Sequence, residues 1–114
     1  MIYSIGHDIV ENTRITQIIE KYGDRFINKI LTEEEKHQLA NRHDKVRFLA
    51  KRFAAKEAFG KACGTGLRTP ILMKHISVVN DSNGKPFFKF ATEIEGKYKN
   101  SKLLVNLKLN LIIL

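Results

Sequence analysis

Glu57 and Lys61 are the residues of this sequence best placed to do chemistry together. They lie in Phe48-Leu-Ala-Lys-Arg-Phe-Ala-Ala-Lys-Glu-Ala-Phe-Gly-Lys-Ala-Cys-Gly-Thr-Gly66, a stretch with helical spacing, and residues four apart share a helix face. As an ordinary solvated pair they would be worth only about 0.2–0.5 kcal/mol. The rest of that face is Ala50, Ala54 and Gly60, however, and small neighbours leave room for a ligand to reach a carboxylate and an ammonium. Such a carboxylate can hold a hard cation, since Mg²⁺ takes one or two protein carboxylates together with waters and phosphate oxygens. Asp8 is the second carboxylate candidate. It closes Met1–Asp8, which reads as a short strand with Tyr3 and Ile5 on one face, a place where aspartate otherwise serves as a turn or cap residue.

The elements that must position these groups can be read in outline. Phe48, Ala55, Phe59 and Ala62 form an apolar stripe, so a long central helix is expected over about 45–63, stopped by Gly64-Thr65-Gly66 and capped by Asp44. Lys45, Arg47, Lys51 and Arg52 load its first turns with positive charge against the dipole preference, which a bound anion would relieve. Upstream, Asn12 or Thr13 caps a helix carrying Ile15, Ile18, Ile19 and Tyr22, ended by Gly23, with Arg14, Gln17 and Lys21 on its opposite face. Phe26, Ile27, Ile30 and Leu31 mark a short second helix, and Thr32-Glu33-Glu34-Glu35 matches a capping box for a third. His75–Asn80 and Phe87–Phe90 read as strands joined by an Asp81–Gly84 turn, followed by a weak helix over 91–98. Leu103–Leu114 alternates like a strand. The fold class is therefore α+β, a small, mostly antiparallel sheet packed on helices.

Length and composition set the frame. With 114 residues the chain is one domain, and 43% hydrophobic against 28% charged residues is globular composition. The single cysteine, Cys63, excludes an intramolecular disulfide. The N-terminus lacks the basic lead of a signal peptide, and the apolar end is interrupted by Asn106, Lys108 and Asn110, so a cytoplasmic protein without a membrane span is expected. A net charge of +8 points to acidic partners. Charge alone would also fit a nucleic-acid-binding domain, but no nucleic-acid motif is visible. The four histidines show no metal spacing, and there is no P-loop, Rossmann fingerprint or Ser-His-Asp pattern.

Three stretches together resemble one family. Met1-Ile-Tyr-Ser-Ile-Gly-His-Asp-Ile-Val10, Arg25-Phe26 with Lys29-Ile-Leu-Thr-Glu-Glu34, and Arg52–Gly66 are similar to the holo-acyl-carrier-protein synthases, the small trimeric class of 4′-phosphopantetheinyl transferases, and Asn83-Gly-Lys-Pro86 resembles their hairpin. The resemblance covers about residues 1–90. It implies a single phosphopantetheinyl transferase domain over 1–114, an enzyme that moves phosphopantetheine from coenzyme A to a serine of apo acyl carrier protein in fatty acid biosynthesis and releases 3′,5′-ADP. It implies Asp8 and Glu57 as Mg²⁺ ligands and Asp8, Glu57 and Lys61 as the catalytic set. It places Lys45, Arg47, Arg52, Gly64, Lys85 and Pro86 at the coenzyme, and Arg14, Arg25 and Phe26 against the carrier protein. It implies a homotrimer with active sites between neighbouring subunits, and no nucleic acid or membrane as partner. After about residue 97 the sequence departs from the family pattern, with one apolar strand where a closing hairpin is expected; a shifted reading frame would produce such an ending. That departure supports an alternative: a member that only binds coenzyme A or acyl carrier protein.

Overall fold

The computed structural model describes residues 2–62, 67, 71–102, 104 and 105, with side chains from residue 12 onward except at residue 62. The order is α1 (Ile2–Tyr22), α2 (Asp24–Ile30), α3 (Glu33–Ala40), α4 (Lys45–Ala62), a 3₁₀ turn (Met73–His75), β1 (Ile76–Asn80), β2 (Pro86–Phe90) and α5 (Thr92–Lys97). The expected α+β architecture with a long central helix is the one observed.

Helix α4 joins two apolar cores. Its first half contributes Phe48, Leu49 and Ala50 to a core with Ile15 of α1, Ile30 of α2 and Leu39 of α3. Its second half contributes Phe59 to a core with Ile71, Ile76, Phe90, Ile94 and Leu104. Each such apolar side chain taken fully from water is worth about 1.5–3 kcal/mol. The helix is not apolar all round, since Lys45, Arg47, Lys51 and Lys61 are exposed. Strands β1 and β2 pair antiparallel from Ile76↔Phe90 to Asn80↔Pro86. One face of the hairpin packs on α4, where the rings of Phe59 and Phe88 stack at 4.8 Å. On the other face Ser77 is buried beside Thr32. Asp81 closes the loop by accepting from the Asn83 and Lys85 amides, and Gly84 takes the left-handed φ of 81° that the turn needs.

Local signals account for most boundaries. Gly23 (φ 54°) ends α1, its amide donating to the Ile19 carbonyl at 2.8 Å. The capping box at α3 is formed: Thr32 Oγ1 accepts from the Glu35 amide and Glu35 accepts from the Thr32 amide. Four expectations are corrected. Residues 2–8 are helical, not a strand, and α1 runs straight through Asn12 and Thr13, so neither caps it. Ile2, Ile5 and Ile9 fit helical spacing as well as Tyr3 and Ile5 fit strand spacing, and among the described residues β1 and β2 pair only with each other. A helix satisfies the backbone groups of 2–22 without a partner strand. His75 belongs to the 3₁₀ turn, so β1 begins at Ile76. At the far end Leu104 and Val105 are helical rather than extended, the Val105 amide donating to the Ser101 carbonyl at 3.1 Å. Cys63, the Gly64-Thr65-Gly66 stop and residues 103 and 106–114 of the expected terminal strand lie outside the described residues.

Candidate functional site

A buried polar network builds the walls of the site. Lys56 is fully buried and donates all three of its ammonium hydrogen bonds: to the Ile30 carbonyl at 2.7 Å, the Met73 carbonyl at 3.1 Å and Glu35 Oε1 at 2.5 Å. Glu35, also fully buried, spends Oε1 on Lys56 and the Thr32 amide and Oε2 on the Val78 amide at 3.0 Å. Thr32 Oγ1 and Ser77 Oγ, 2.7 Å apart, complete the cluster. Arg52 Nε lies 3.4 Å from Glu35 Oε2 without an aligned hydrogen bond, and its guanidinium stacks 4.4 Å over Phe48. Burial pulls the Lys56 and Arg52 pKa values down, opposed in each case by the Glu35 charge. Four side chains thereby staple the end of α2, the start of α3, the middle of α4, the 3₁₀ turn and β1. Lys56 gives no outward sign in the sequence of being buried, and Glu35 was legible only as a helix cap.

The next residue in the chain opens outward. Glu57, Gly60 and Lys61 form the α4 wall of a cleft of about 460 Å³. Lys29 of α2, Leu67, Leu72, and Met73 and Lys74 of the 3₁₀ turn form the rest, with Lys56 at its base. Glu57 is half-buried, Gly60 buried and Lys61 exposed. Of the small residues expected on this face, Gly60 lines the cleft, whereas Ala50 is buried in the α1–α4 core. The pairing of Glu57 with Lys61 in one cleft follows from the four-residue spacing. Lys29 and Lys74 were not singled out, because only tertiary packing brings them to the cleft.

The other expected site residues spread over the molecule. Asp8 lies in α1, which packs on α4, and its side chain is outside the described set; so is Gly64. Lys45 and Arg47 are exposed at the start of α4, and at 1.5 Å per residue Arg47 is about 15 Å along the axis from Glu57. Neither lines the cleft, and Arg52 is turned inward to Glu35. Lys85 and Pro86 are exposed on the hairpin. Arg25 and Phe26 meet Ile18, Tyr22 and Lys29 around a separate groove of about 330 Å³. Arg14 joins that side of the molecule through Phe53, its guanidinium 5.2 Å over the ring and the Phe26 ring 5.9 Å away. Arg14, Arg25 and Phe26 therefore share one basic, aromatic face, and Lys29 borders both this groove and the cleft.

Among the described residues no group of three or more His, Cys, Asp or Glu forms a ready-made metal cage. The donor chemistry at Glu57 nonetheless fits a hard cation: one half-buried carboxylate, with lysines positioned to draw in anions whose oxygens would supply further ligands. The resemblance implies Asp8 as a second carboxylate, and its side chain lies outside the described residues. Among the described residues no helix is long and apolar enough to cross a membrane.

Known proteins share this arrangement of elements. The family model of the 4′-phosphopantetheinyl transferase superfamily matches residues 4–108, past the point near residue 97 where the sequence pattern departs. The holo-[acyl-carrier-protein] synthase of Nitrosospira multiformis is 52% identical over 100 residues, covering 88% of this chain and 80% of its own. The crystal structure of the synthase from Neisseria meningitidis superposes with a TM-score of 0.68 at 39% identity, over 77% of this chain and 70% of that one. That of the Bacillus anthracis synthase, in complex with CoA (3′,5′-ADP), superposes with a TM-score of 0.57 at 38% identity, over 72% and 70%. The long α4 with its Lys-Glu-Ala-Phe-Gly-Lys run, the α+β frame and these matches over most of the length lead to one assignment: the chain belongs to the 4′-phosphopantetheinyl transferase superfamily, among its holo-[acyl-carrier-protein] synthases.

Proposed function

We propose that the protein transfers the 4′-phosphopantetheine group of coenzyme A to a serine of an apo acyl carrier protein, with Mg²⁺, in fatty acid biosynthesis. The observation that carries this reading is the cleft in which Glu57 and Lys61 stand side by side among further lysines, in a chain of this family. In the reaction the serine oxygen forms a bond to the phosphorus that carries pantetheine. The pyrophosphate bond breaks, and 3′,5′-ADP leaves with the electron pair. Asp8 and Glu57 would hold the Mg²⁺, which when bound neutralises charge on the pyrophosphate. Lys61, exposed at the cleft wall, contacts a phosphate oxygen and offsets the charge that grows on the leaving group. The serine proton passes to a carboxylate of the site. The face of Arg14, Arg25 and Phe26, with its groove, receives the acidic carrier protein and directs its serine toward the cleft.

Lys45, Arg47, Gly64, Lys85 and Pro86 remain assigned to the coenzyme, whereas Arg52, turned inward to Glu35 and stacked on Phe48, serves the fold instead. Because Lys45 and Arg47 stand about 15 Å or more from Glu57 along α4, they reach a bound coenzyme most simply from a neighbouring subunit of a trimer whose sites lie between chains. The protein acts in the cytoplasm on this reading. The test is intact mass spectrometry of apo acyl carrier protein after incubation with this protein, coenzyme A and Mg²⁺, with a chelator control. A metal-dependent gain of one phosphopantetheine is expected. No mass change would overturn the transferase. Retained calorimetric binding of coenzyme A would then support the second reading, a member that binds without transfer, which the departure of the sequence after about residue 97 favours.

A further inference from the structure

The cleft carries more positive charge than Lys61 supplies, and its placement assigns a role to a residue outside the sequence motifs. Lys74 lies on the wall facing α4, between Met73 and His75 of the 3₁₀ turn. That turn is pinned at both ends. The Met73 carbonyl accepts from the buried Lys56 ammonium at 3.1 Å, and the Leu72 amide donates to His75 Nδ1 at 3.0 Å. The His75 carbonyl accepts from the Ala91 amide at 2.8 Å, tying the turn to the segment leading into α5. The backbone that presents Lys74 is therefore fixed by buried partners, while its side chain is exposed and makes no hydrogen bond or ion pair among the described residues. A held backbone with a free ammonium is the arrangement expected of a charge kept for a ligand.

The charge balance of the cleft points the same way. Lys56 is committed to Glu35, which leaves Lys29, Lys61 and Lys74 facing one carboxylate, Glu57. A coenzyme with a pyrophosphate and a 3′-phosphate brings several negative charges. Lys45 and Arg47 of the same chain are too far along α4 to meet those beside Glu57, and Arg52 is occupied with Glu35 and Phe48.

We propose that Lys74 binds a phosphate group of the coenzyme across the cleft from Lys61, a role that rests on the transferase reading. Lys74→Gln should raise KM for coenzyme A about tenfold, the loss expected for one hydrogen bond to a charged group, with kcat and the KM for carrier protein within twofold of wild type. Lys74→Arg should restore most of the affinity. Lys89→Gln provides the control: Lys89 is also exposed and borders, with Lys74, an adjoining cleft that Glu57 and Lys61 do not line, so it removes the same charge from the far side of Lys74, outside the site. Calorimetry with 3′,5′-ADP gives a readout that needs no turnover, and Lys74→Gln should weaken that binding by the same factor. Equal effects of Lys74→Gln and Lys89→Gln, or unchanged 3′,5′-ADP affinity in Lys74→Gln beside a wild-type protein that binds it, would overturn the role of Lys74 and leave the transferase standing. A wild-type protein that neither binds 3′,5′-ADP nor modifies carrier protein would overturn both.

Discussion

Lys56 and Glu57 are neighbours in sequence and opposites in use. Lys56 is fully buried with its three donors committed, whereas Glu57 is half-buried at a cleft wall and makes no hydrogen bond or ion pair among the described residues. One helical step of about 100° separates a charge that holds the fold from a charge that faces the cleft without a partner among the described residues. The same types recur across the divide: Glu35 and Lys56 form the buried pair, Glu57 and Lys61 the open one. A charged residue in this chain cannot be assigned to structure or chemistry by its type. What separates the two pairs is whether neighbouring backbone carbonyls and amides have already claimed the charges.

The sharpest way to break that contrast is to remove the buried charge. Lys56→Met leaves Glu35 in the interior without its Lys56 partner and the Ile30 and Met73 carbonyls without their donor. Breaking a buried pair from one side costs about 3–5 kcal/mol, a large fraction of the stability of a domain this size. Urea denaturation should show that loss in the midpoint with little change in slope. A cost below about 1 kcal/mol would mean the pair is not the staple described above.

The open pair should respond in the reverse sense. Glu57→Gln is expected to change stability by no more than about 0.5 kcal/mol, as for a substitution that leaves no buried group unpaired. It should lower phosphopantetheine transfer by about two orders of magnitude or more, the scale of losing a group that organises charge at the reacting phosphate. The two measurements on one purified protein, denaturation and carrier-protein mass, decide the matter. A variant with near wild-type turnover would remove Glu57 from the catalytic set.

The contrast also explains what was legible in the sequence. Local features came through: the central helix, the Gly23 stop, the Thr32–Glu35 capping box, the Asp81–Gly84 turn and the shared face of Glu57 and Lys61 all rest on interactions within about five residues. Features that depend on distant partners did not. Burial of Lys56 needs Glu35 twenty-one residues upstream and Met73 seventeen downstream. Lys29 and Lys74 enter the cleft only because that network fixes α2 and the 3₁₀ turn against α4. Residues 2–8 were misread for a related reason: a run that short fits both periods, and the choice between helix and strand depends on whether another strand lies beside it.

Thr32 tests the point where local and distant bonding meet. Thr32→Val keeps the shape but removes the oxygen that caps α3 and meets Ser77 Oγ at 2.7 Å. A lost cap costs about 1 kcal/mol, and the Ser77 hydroxyl, now buried without its partner, adds to it, so a total of about 1–2 kcal/mol is expected by thermal or chemical denaturation. Transfer activity at temperatures well below unfolding should stay near wild type, because Thr32 is outside the cleft.

The smallest expected effect lies where the two regions join, at His75. Its Nδ1 accepts from the Leu72 amide, so protonation there removes the acceptor that closes the turn carrying Lys74. Burial holds the imidazole pKa below its ordinary value of 6.5; the Lys74 charge lowers it further, and Glu93, with Oε1 3.9 Å from Nε2, opposes both. The folded protein therefore binds fewer protons at this site than the unfolded chain just below pH 6.5. Stability from this group is fully present above about pH 6.5 and is lost as the pH falls through the depressed native value. His75→Gln should flatten that part of the stability profile while leaving the neutral-pH value close to wild type, because its side-chain oxygen can still accept from the Leu72 amide. The His75 resonances followed by NMR over the same range should show it titrating below the ordinary imidazole value of 6.5. If it titrated at or above that value, the turn would not be closed by a neutral imidazole, and the anchoring of Lys74 would rest on the Met73 and Ala91 hydrogen bonds alone.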